Sequence, residues 1–140
     1  MASTDASSTS AKMVVGFDGS PGSRKALDWA VAHAPALRMQ VEVVQAWTPG
    51  DFVTDSELRD FTQQQLTKEV DAVAGPAGVD WVARSLRGQA TRVLEEASSD
   101  ADMLVVGSRG HSTVTGLLVG SVGLHLVTHA KCPAVVVVRS

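Results

Sequence analysis

The feature that most constrains this chain is a strict alternation of short apolar runs with segments of helical periodicity. Each segment between two runs carries apolar residues that recur every three or four positions, which is typical of a helix with one buried face. Continuous apolar strands that alternate with helices are typical of a parallel sheet covered on both faces. We therefore predict an α/β fold with an open five-stranded parallel sheet, its strands at residues 13–17, 41–47, 79–86, 103–106 and 134–138.

Start and stop signals place the four helices between these strands. Ser20 followed by Pro21 is a helix start, and Thr54 with Glu57 has the spacing of a capping box. The run Gly75-Pro76-Ala77-Gly78 is expected to stop the second helix. The third and fourth helices are predicted over residues 88–98 and 120–130. The third strand carries charges, so we expect it near a sheet edge.

The length of 140 residues fits one domain, which we place at residues 12–140. Residues 1–11 are rich in Ser, Thr and Ala and are expected to form a disordered tail. They lack the apolar core of a signal peptide, and the longest apolar run is too short to cross a bilayer. We therefore expect a cytoplasmic protein without membrane contact. A net charge of −3 with no basic stretch argues against nucleic acid as a partner.

A glycine-rich stretch follows the fourth strand. Gly107 and Gly110 flank Ser108-Arg109 directly after the apolar residues 103–106, and Gly120-Ser121 opens the last helix. Glycines allow the backbone to approach a ligand closely, and the start of a helix favours an anion. Arg109 adds a charged, forked donor. This arrangement predicts a phosphate site.

A second unusual strand end lies early in the chain, where Asp18-Gly19-Ser20 follows the first strand. In open parallel sheets, ligands bind outside the carboxyl ends of the strands, where the strand order reverses. If the first and fourth strands are neighbours, both loops open onto one crevice. The Asp18 carboxylate suits ribose hydroxyls, an adenine amino group or a magnesium ion. The residues alone do not establish that the two strands are adjacent.

Together these residues resemble the universal stress protein family over about residues 12–139. The likeness is carried by three segments, Val15–Ser20, Ala101–His111 and Leu118–Val122, and by the ending Cys132–Val138. ATP-binding members of that family carry Gly-x2-Gly-x9-Gly-(Ser/Thr). Here Gly107, Gly110, Gly120 and Ser121 supply every element of this pattern.

The resemblance implies a sheet order of 3-2-1-4-5 and ATP as the ligand, with magnesium bound through ATP at Asp18. It also implies that Asp18 contacts the nucleoside end of ATP, that the backbone near Ala46 holds the adenine, and that the chain forms a homodimer through its last strand. Gly19 stands where several relatives have a bulkier polar residue. The residues expected to bind the nucleotide are Asp18, Gly19, Ser20, Ala46, Gly107, Ser108, Arg109, Gly110, Gly120, Ser121 and Val122.

Nothing in the sequence indicates a catalytic nucleotide loop. No Gly-x4-Gly-Lys-(Ser/Thr) motif occurs, the glycine stretch has no lysine, and one carboxylate does not make a two-metal site. We therefore expect a nucleotide-dependent regulator or sensor in the stress response, with at most weak ATPase activity and no catalytic residues. The alternatives are a slow ATP hydrolase, with His111 as a base, and an interaction module that binds AMP or cyclic AMP. Trp47 follows the expected adenine contact and is a candidate to line the same site.

Overall fold

The computed structural model describes residues 11–50, 54–108 and 121–137. In the last of these segments it describes side chains only from residue 125 onward. The five strands are β1 (Ala11–Gly16), β2 (Met39–Trp47), β3 (Trp81–Arg87), β4 (Met103–Gly107) and β5 (Ala134–Val137). The four helices of the described residues are α1 (Pro21–Leu37), α2 (Asp55–Ala77), α3 (Ala90–Ser98) and α4 (Ser121–His129).

The strands form one parallel sheet in the order β3-β2-β1-β4-β5, as predicted. Val15 at the centre of the sheet pairs with Val43 on one side and with Val105 on the other. The chain moves outward from β1 to β3, returns to pair β4 with β1, and then continues to β5. The strand order therefore reverses between β1 and β4, and the loops that follow these two strands leave the same edge of the sheet.

Two apolar layers hold the helices against the sheet. The first joins α1 and α2 to alternate residues of the strands, with Leu27 and Leu66 fully buried in it. The second joins α3 and α4 to the opposite face, where Leu94 and Leu126 contact the intervening strand residues such as Val14. Each face is therefore closed by one pair of helices, which is the doubly wound arrangement that the alternating pattern predicts.

The predicted helix starts are confirmed, and α2 ends within the run that was expected to stop it. Ser20 caps α1, and Thr54 and Glu57 form the capping box of α2. Within that run, α2 continues through Gly75 and Pro76 to Ala77, and Gly78, whose φ of 70° is left-handed, is its C-cap. A proline normally pushes the residue before it out of the helical region, partly through that residue's Cβ. Since glycine has no Cβ, Gly75 can stay helical before Pro76.

Several predicted boundaries move by one or two residues. β1 begins at Ala11, the last residue assigned to the tail, while residues 1–10 and Val138 lie outside the described part of the chain. β3 begins at Trp81 rather than Val79, although the Asp80 carbonyl already accepts a hydrogen bond from Val41 N–H. β3 is an edge strand, as its charges predicted.

The open edge of β3 is capped by a side chain. The Gln63 amide of α2 donates to the Ala83 carbonyl (3.0 Å) and accepts from the Ser85 N–H (2.8 Å), so it takes the place of a peptide group on a sixth strand. The Ser85 hydroxyl also donates to Thr62 (2.7 Å). An edge strand whose hydrogen-bonding groups are already satisfied is a poor template for another chain.

No helix in the described residues is long and apolar enough to cross a membrane.

Candidate functional site at the carboxyl edge of the sheet

The loop between β1 and α1 is fixed by short-range hydrogen bonds. Asp18 is exposed, its N–H donates to the Ser23 hydroxyl (3.2 Å), and its Oδ1 accepts from Ser20 N–H (2.9 Å). Ser20 is almost fully buried and its hydroxyl accepts from Ser23 N–H (3.3 Å), which makes it the cap of α1. The hydroxyl of Ser20 thus has a structural role, while the Asp18 carboxylate stands at the surface of the sheet edge.

Arg24 holds this loop from the first turns of α1. Its Nε donates to the Gly19 carbonyl (3.0 Å), and its guanidinium lies 5.5 Å from the centre of the Phe17 ring. The same guanidinium pairs with Glu69 of α2. Gly19 itself has a φ of 82°, which glycine adopts without strain. No local pattern in the sequence indicates Arg24, because its partner Glu69 lies 45 residues away.

The end of β4 packs directly on the start of α1. A Cβ at Gly107 would lie 2.4 Å from the Gly22 carbonyl oxygen and 2.5 Å from its carbon, both of them backbone atoms. The last residue of β4 therefore contacts the first turn of α1, which directly follows the Asp18 loop, as expected if β1 and β4 are neighbours. Only glycine allows this close approach of two backbones at position 107. The glycine pattern in the sequence did not indicate this structural role.

Ser108 is less available to a ligand than the sequence suggested. Its N–H donates to the Val137 carbonyl (3.0 Å), and the residue is 3% exposed. Its backbone donor thus belongs to the pairing of β4 with β5. Any contact of Ser108 with a phosphate would have to come from its hydroxyl.

Ala46 presents backbone groups beyond the end of β1. Gly16 pairs with Val44, and Phe17 N–H donates to the Val44 carbonyl (3.0 Å). Because alternate residues of a strand direct their N–H and C=O groups to the same side, those of Ala46 also face β1, which has already ended. The next residue, Trp47, instead uses its carbonyl to accept from Gly88 N–H (2.8 Å) in the connection that follows β3.

The remaining predicted nucleotide contacts belong to the glycine-rich stretch and to the helix that follows it. Arg109, Gly110 and Gly120 lie outside the described residues, as does His111. Ser121 and Val122 are the first residues of α4 that the structure describes. The described part of the site thus consists of the β1 loop, the ends of β2 and β4, and the first residues of α1 and α4.

The two histidines of α4 stack on each other, and one of them contacts a carboxylate of α3. His125 Nε2 lies 2.8 Å from Glu95 Oε1, and its ring stacks on that of His129 at 4.3 Å. The hydrogen bond to His125 lowers the pKa of Glu95 below its usual value, with burial acting against it and Lys131 assisting. Among the described residues, no group of three or more His, Cys, Asp or Glu side chains could hold a metal ion.

The single cysteine, Cys132, is half-buried against the second apolar layer. Burial, with a smaller contribution from the charge of Asp102, raises the pKa of Cys132. A raised pKa keeps the thiol protonated and disfavours a nucleophilic role.

A cavity of about 280 Å³ lies at the opposite, amino edge of the sheet. It is formed where α1 and α2 end, and both a basic residue, Arg38, and an acidic residue, Asp80, line it. Its lining consists of Ala34, Pro35, Arg38, Met39, Gln40, Gly78, Val79 and Asp80.

The fold and the edge described above define a doubly wound α/β protein in which the ends of β1 and β4 are neighbours at the switch point. The chain matches the universal stress protein family over residues 10–139, and it belongs to that family. It is 35% identical over 141 residues to universal stress protein Rv2005c of Mycobacterium tuberculosis, covering 93% of this chain and 46% of that protein. The chain spans about half the length of the curated relatives it matches.

Solved structures of the same family have the same fold. A universal stress protein in complex with cAMP is 29% identical with a TM-score of 0.75, over 94% of this chain and 99% of that one. The universal stress protein from Archaeoglobus fulgidus in complex with dAMP is 21% identical with a TM-score of 0.68, over 90% of this chain and 96% of that one. The second likeness concerns the fold alone.

Proposed function

We propose that this chain binds an adenine nucleotide at the carboxyl edge of its sheet and acts as a nucleotide-dependent regulator or sensor in the stress response. The observation that carries the proposal is the contact of Gly107 with Gly22, which joins the β4 end to the loop of Asp18. Gly22 lies in the first turn of α1, directly after the loop of Asp18, so the contact supports a site shared by this loop and the start of the glycine pattern. The pattern itself, from Gly107 to Ser121, favours ATP as the ligand.

The chemistry of this sheet edge supports a different binding element for each part of the nucleotide. The Ala46 backbone offers a donor and an acceptor, which match the edge of an adenine ring. The Asp18 carboxylate accepts hydrogen bonds from ribose hydroxyls, while the starts of α1 and α4 favour phosphate. Magnesium, where it accompanies ATP, would be held by phosphate oxygens and Asp18.

Cyclic AMP is the second candidate ligand. The relative whose structure contains cAMP is 29% identical to this chain over almost its whole length. Mass spectrometry of nucleotide released from the purified protein, followed by calorimetric titration with ATP, AMP and cyclic AMP, distinguishes the candidates. We expect bound ATP and tightest binding of ATP. If none of the three binds, the proposed function is wrong.

Gly110→Val and Gly120→Val are each expected to weaken nucleotide binding by at least about tenfold, because a branched Cβ would enter the space assigned to phosphate. Binding is measured by calorimetry, with folding checked by circular dichroism. Gly75→Ala, at the opposite edge of the sheet, is the control and should bind as the wild type does. Normal affinity in both folded valine variants would mean that this loop does not hold the phosphates.

A slow hydrolase would differ from a binding protein in one measurable respect. Turnover of ATP that rises with magnesium and disappears in Asp18→Ala would favour the enzyme. We expect no turnover beyond a weak background, since no lysine lies in the glycine stretch to stabilise a transferring phosphoryl group.

We further propose that the chain forms a homodimer through β5. The described sheet has two edge strands, β3 and β5. On β3, the Gln63 side chain already forms hydrogen bonds with outward-facing backbone groups, whereas β5 consists of half-buried apolar residues (Ala134–Val137). An apolar edge is stabilised by pairing with a second copy. Sedimentation equilibrium should give the mass of a dimer, and a monomer at all concentrations would contradict the proposal.

A further inference from the structure

Trp47 is the last residue of β2 and sits at the edge to which we assign the nucleotide. Its carbonyl is bound by Gly88 N–H, which fixes its backbone to the β3 side of the sheet. Since side chains alternate along a strand, its indole lies on the same face as Val41 and Val43, which α1 and α2 cover. β1 ends opposite Val44, so the indole lies beyond the end of the central strand.

The indole nitrogen of Trp47 is an exception among the buried polar atoms. The residue is 9% exposed, and among the side chains that the structure describes, its Nε1 is the one buried nitrogen or oxygen without a hydrogen-bond partner. The buried serines at Ser20, Ser23 and Ser98, by contrast, all use their hydroxyls. A buried donor without an acceptor is costly, and such a group in a folded protein calls for an explanation.

The chemistry of an indole limits what its partner can be. Nε1 carries a proton and only donates, so neither a cation nor an amino group can satisfy it. An adenine ring has three acceptor nitrogens, at positions 1, 3 and 7. The backbone of Ala46, the neighbouring residue, is where we place the base. An aromatic side chain with one fixed donor is also the kind of group that orients a ligand in a site.

We propose that Trp47 is a specificity-determining residue that donates a hydrogen bond from Nε1 to a ring nitrogen of the bound adenine. This inference rests on the proposed nucleotide-binding function and assigns one further contact within the same site. The nitrogen is covered in the ligand-free chain, so entry of the base must displace part of that cover. Binding should therefore shift the fluorescence emission of Trp47.

The test replaces the Trp47 indole by benzothiophene, which keeps the ring shape and removes the N–H. ATP, AMP and cyclic AMP are titrated first, and then the 1-deaza, 3-deaza and 7-deaza derivatives of the tightest binder. In the wild type, we expect one deaza derivative to bind about fivefold to tenfold more weakly, as for one lost hydrogen bond. In the benzothiophene variant, the affinity for the parent nucleotide should fall by the same factor. That deaza derivative should then bind the variant no more weakly than the parent nucleotide does.

The same replacement at Trp29, a partly buried residue farther along α1, is the matched control and should leave every affinity unchanged. Normal nucleotide affinity in the benzothiophene variant at position 47 would overturn the proposal, as would equal deaza losses in the variant and the wild type. A wild type that binds none of the three parent nucleotides would overturn the nucleotide-binding function itself, and this inference with it.

Discussion

Gly107→Ala is expected to destabilise the protein by about 3 kcal/mol, the upper part of the usual range for overpacking a closed core. The added Cβ would lie 2.4 Å from the Gly22 carbonyl oxygen, and the obstructing atoms belong to the backbone at the start of α1. No side chain can rotate away to relieve the contact. Either α1 must shift from the sheet or β4 must bend. Urea denaturation followed by circular dichroism measures the change in the free energy of unfolding.

Gly75→Ala is the matched control, because it makes the same chemical change where no backbone atom obstructs the new Cβ. At Gly75 the nearest obstruction is Asp71 Oδ1 at 2.7 Å, the far end of a flexible side chain. Alanine in a helix is more favourable than glycine by about 0.5–1 kcal/mol, but a Cβ directly before Pro76 opposes this gain, so this variant should change the free energy of unfolding much less than Gly107→Ala does. Equal stability of the two variants would show that β4 and α1 are not in close contact.

Gly107→Ala should also weaken nucleotide binding, since it separates the two loops that form the proposed site. A loss of affinity larger than that of a core variant with equal destabilisation would link the contact to the ligand. Leu66→Ala, in the fully buried layer beneath α2, is suitable for this comparison. Its expected cost is about 2–5 kcal/mol, and its side chain lies away from the β4 loop.

Local pattern predicted the fold because each element of this chain is signalled by its own residues. Apolar runs, caps and glycines placed the five strands and four helices of the described residues to within about two residues. The strand order came from the family resemblance, since pairing β4 with β1 joins residues about 90 positions apart, such as Met13 and Met103. No periodicity reports such a contact.

The site was less predictable, because its residues depend on contacts that are distant in sequence. The glycine pattern led to Gly107, but not to its packing against Gly22. The sequence pattern indicates Asp18, because this residue follows a strand. It does not indicate Arg24, which holds the Asp18 loop through a hydrogen bond to the Gly19 carbonyl. Trp47 was recognised as a candidate from its position alone, whereas the unpartnered state of its nitrogen follows only from three-dimensional surroundings.

Lys12→Met is expected to destabilise the protein by about 2 kcal/mol, less than for a fully buried pair because Lys12 is partly exposed. Lys12 Nζ lies 2.9 Å from Glu42, whose side chain is only 8% exposed, and 3.2 Å from Asp100. Removing the lysine leaves the buried carboxylate with Arg84 alone, at 3.2 Å. The free energy of unfolding in urea near neutral pH measures this cost.

The double variant with Lys12→Met and Glu42→Leu tests the physical reason. A buried ion pair is offset by the cost of removing both charges from water, so an apolar replacement of both partners is often neutral or stabilising. The double variant should therefore be more stable than Lys12→Met alone. If it is less stable, the cost of the single change arises from packing rather than from an unpaired carboxylate.

The same network predicts a response to alkaline pH. Burial, the largest single influence, lowers the pKa of Lys12, but hydrogen bonds and charges from Glu42 and Asp100 outweigh it and raise the pKa above its ordinary value of 10.5. A raised pKa in the folded state means that the contribution is fully present below pH 10.5 and is lost as the pH rises through the folded-state pKa. The stability of the wild type should consequently fall toward that of Lys12→Met in this alkaline range. A constant difference between the two proteins would place the contribution of Lys12 in its methylene groups rather than in its charge.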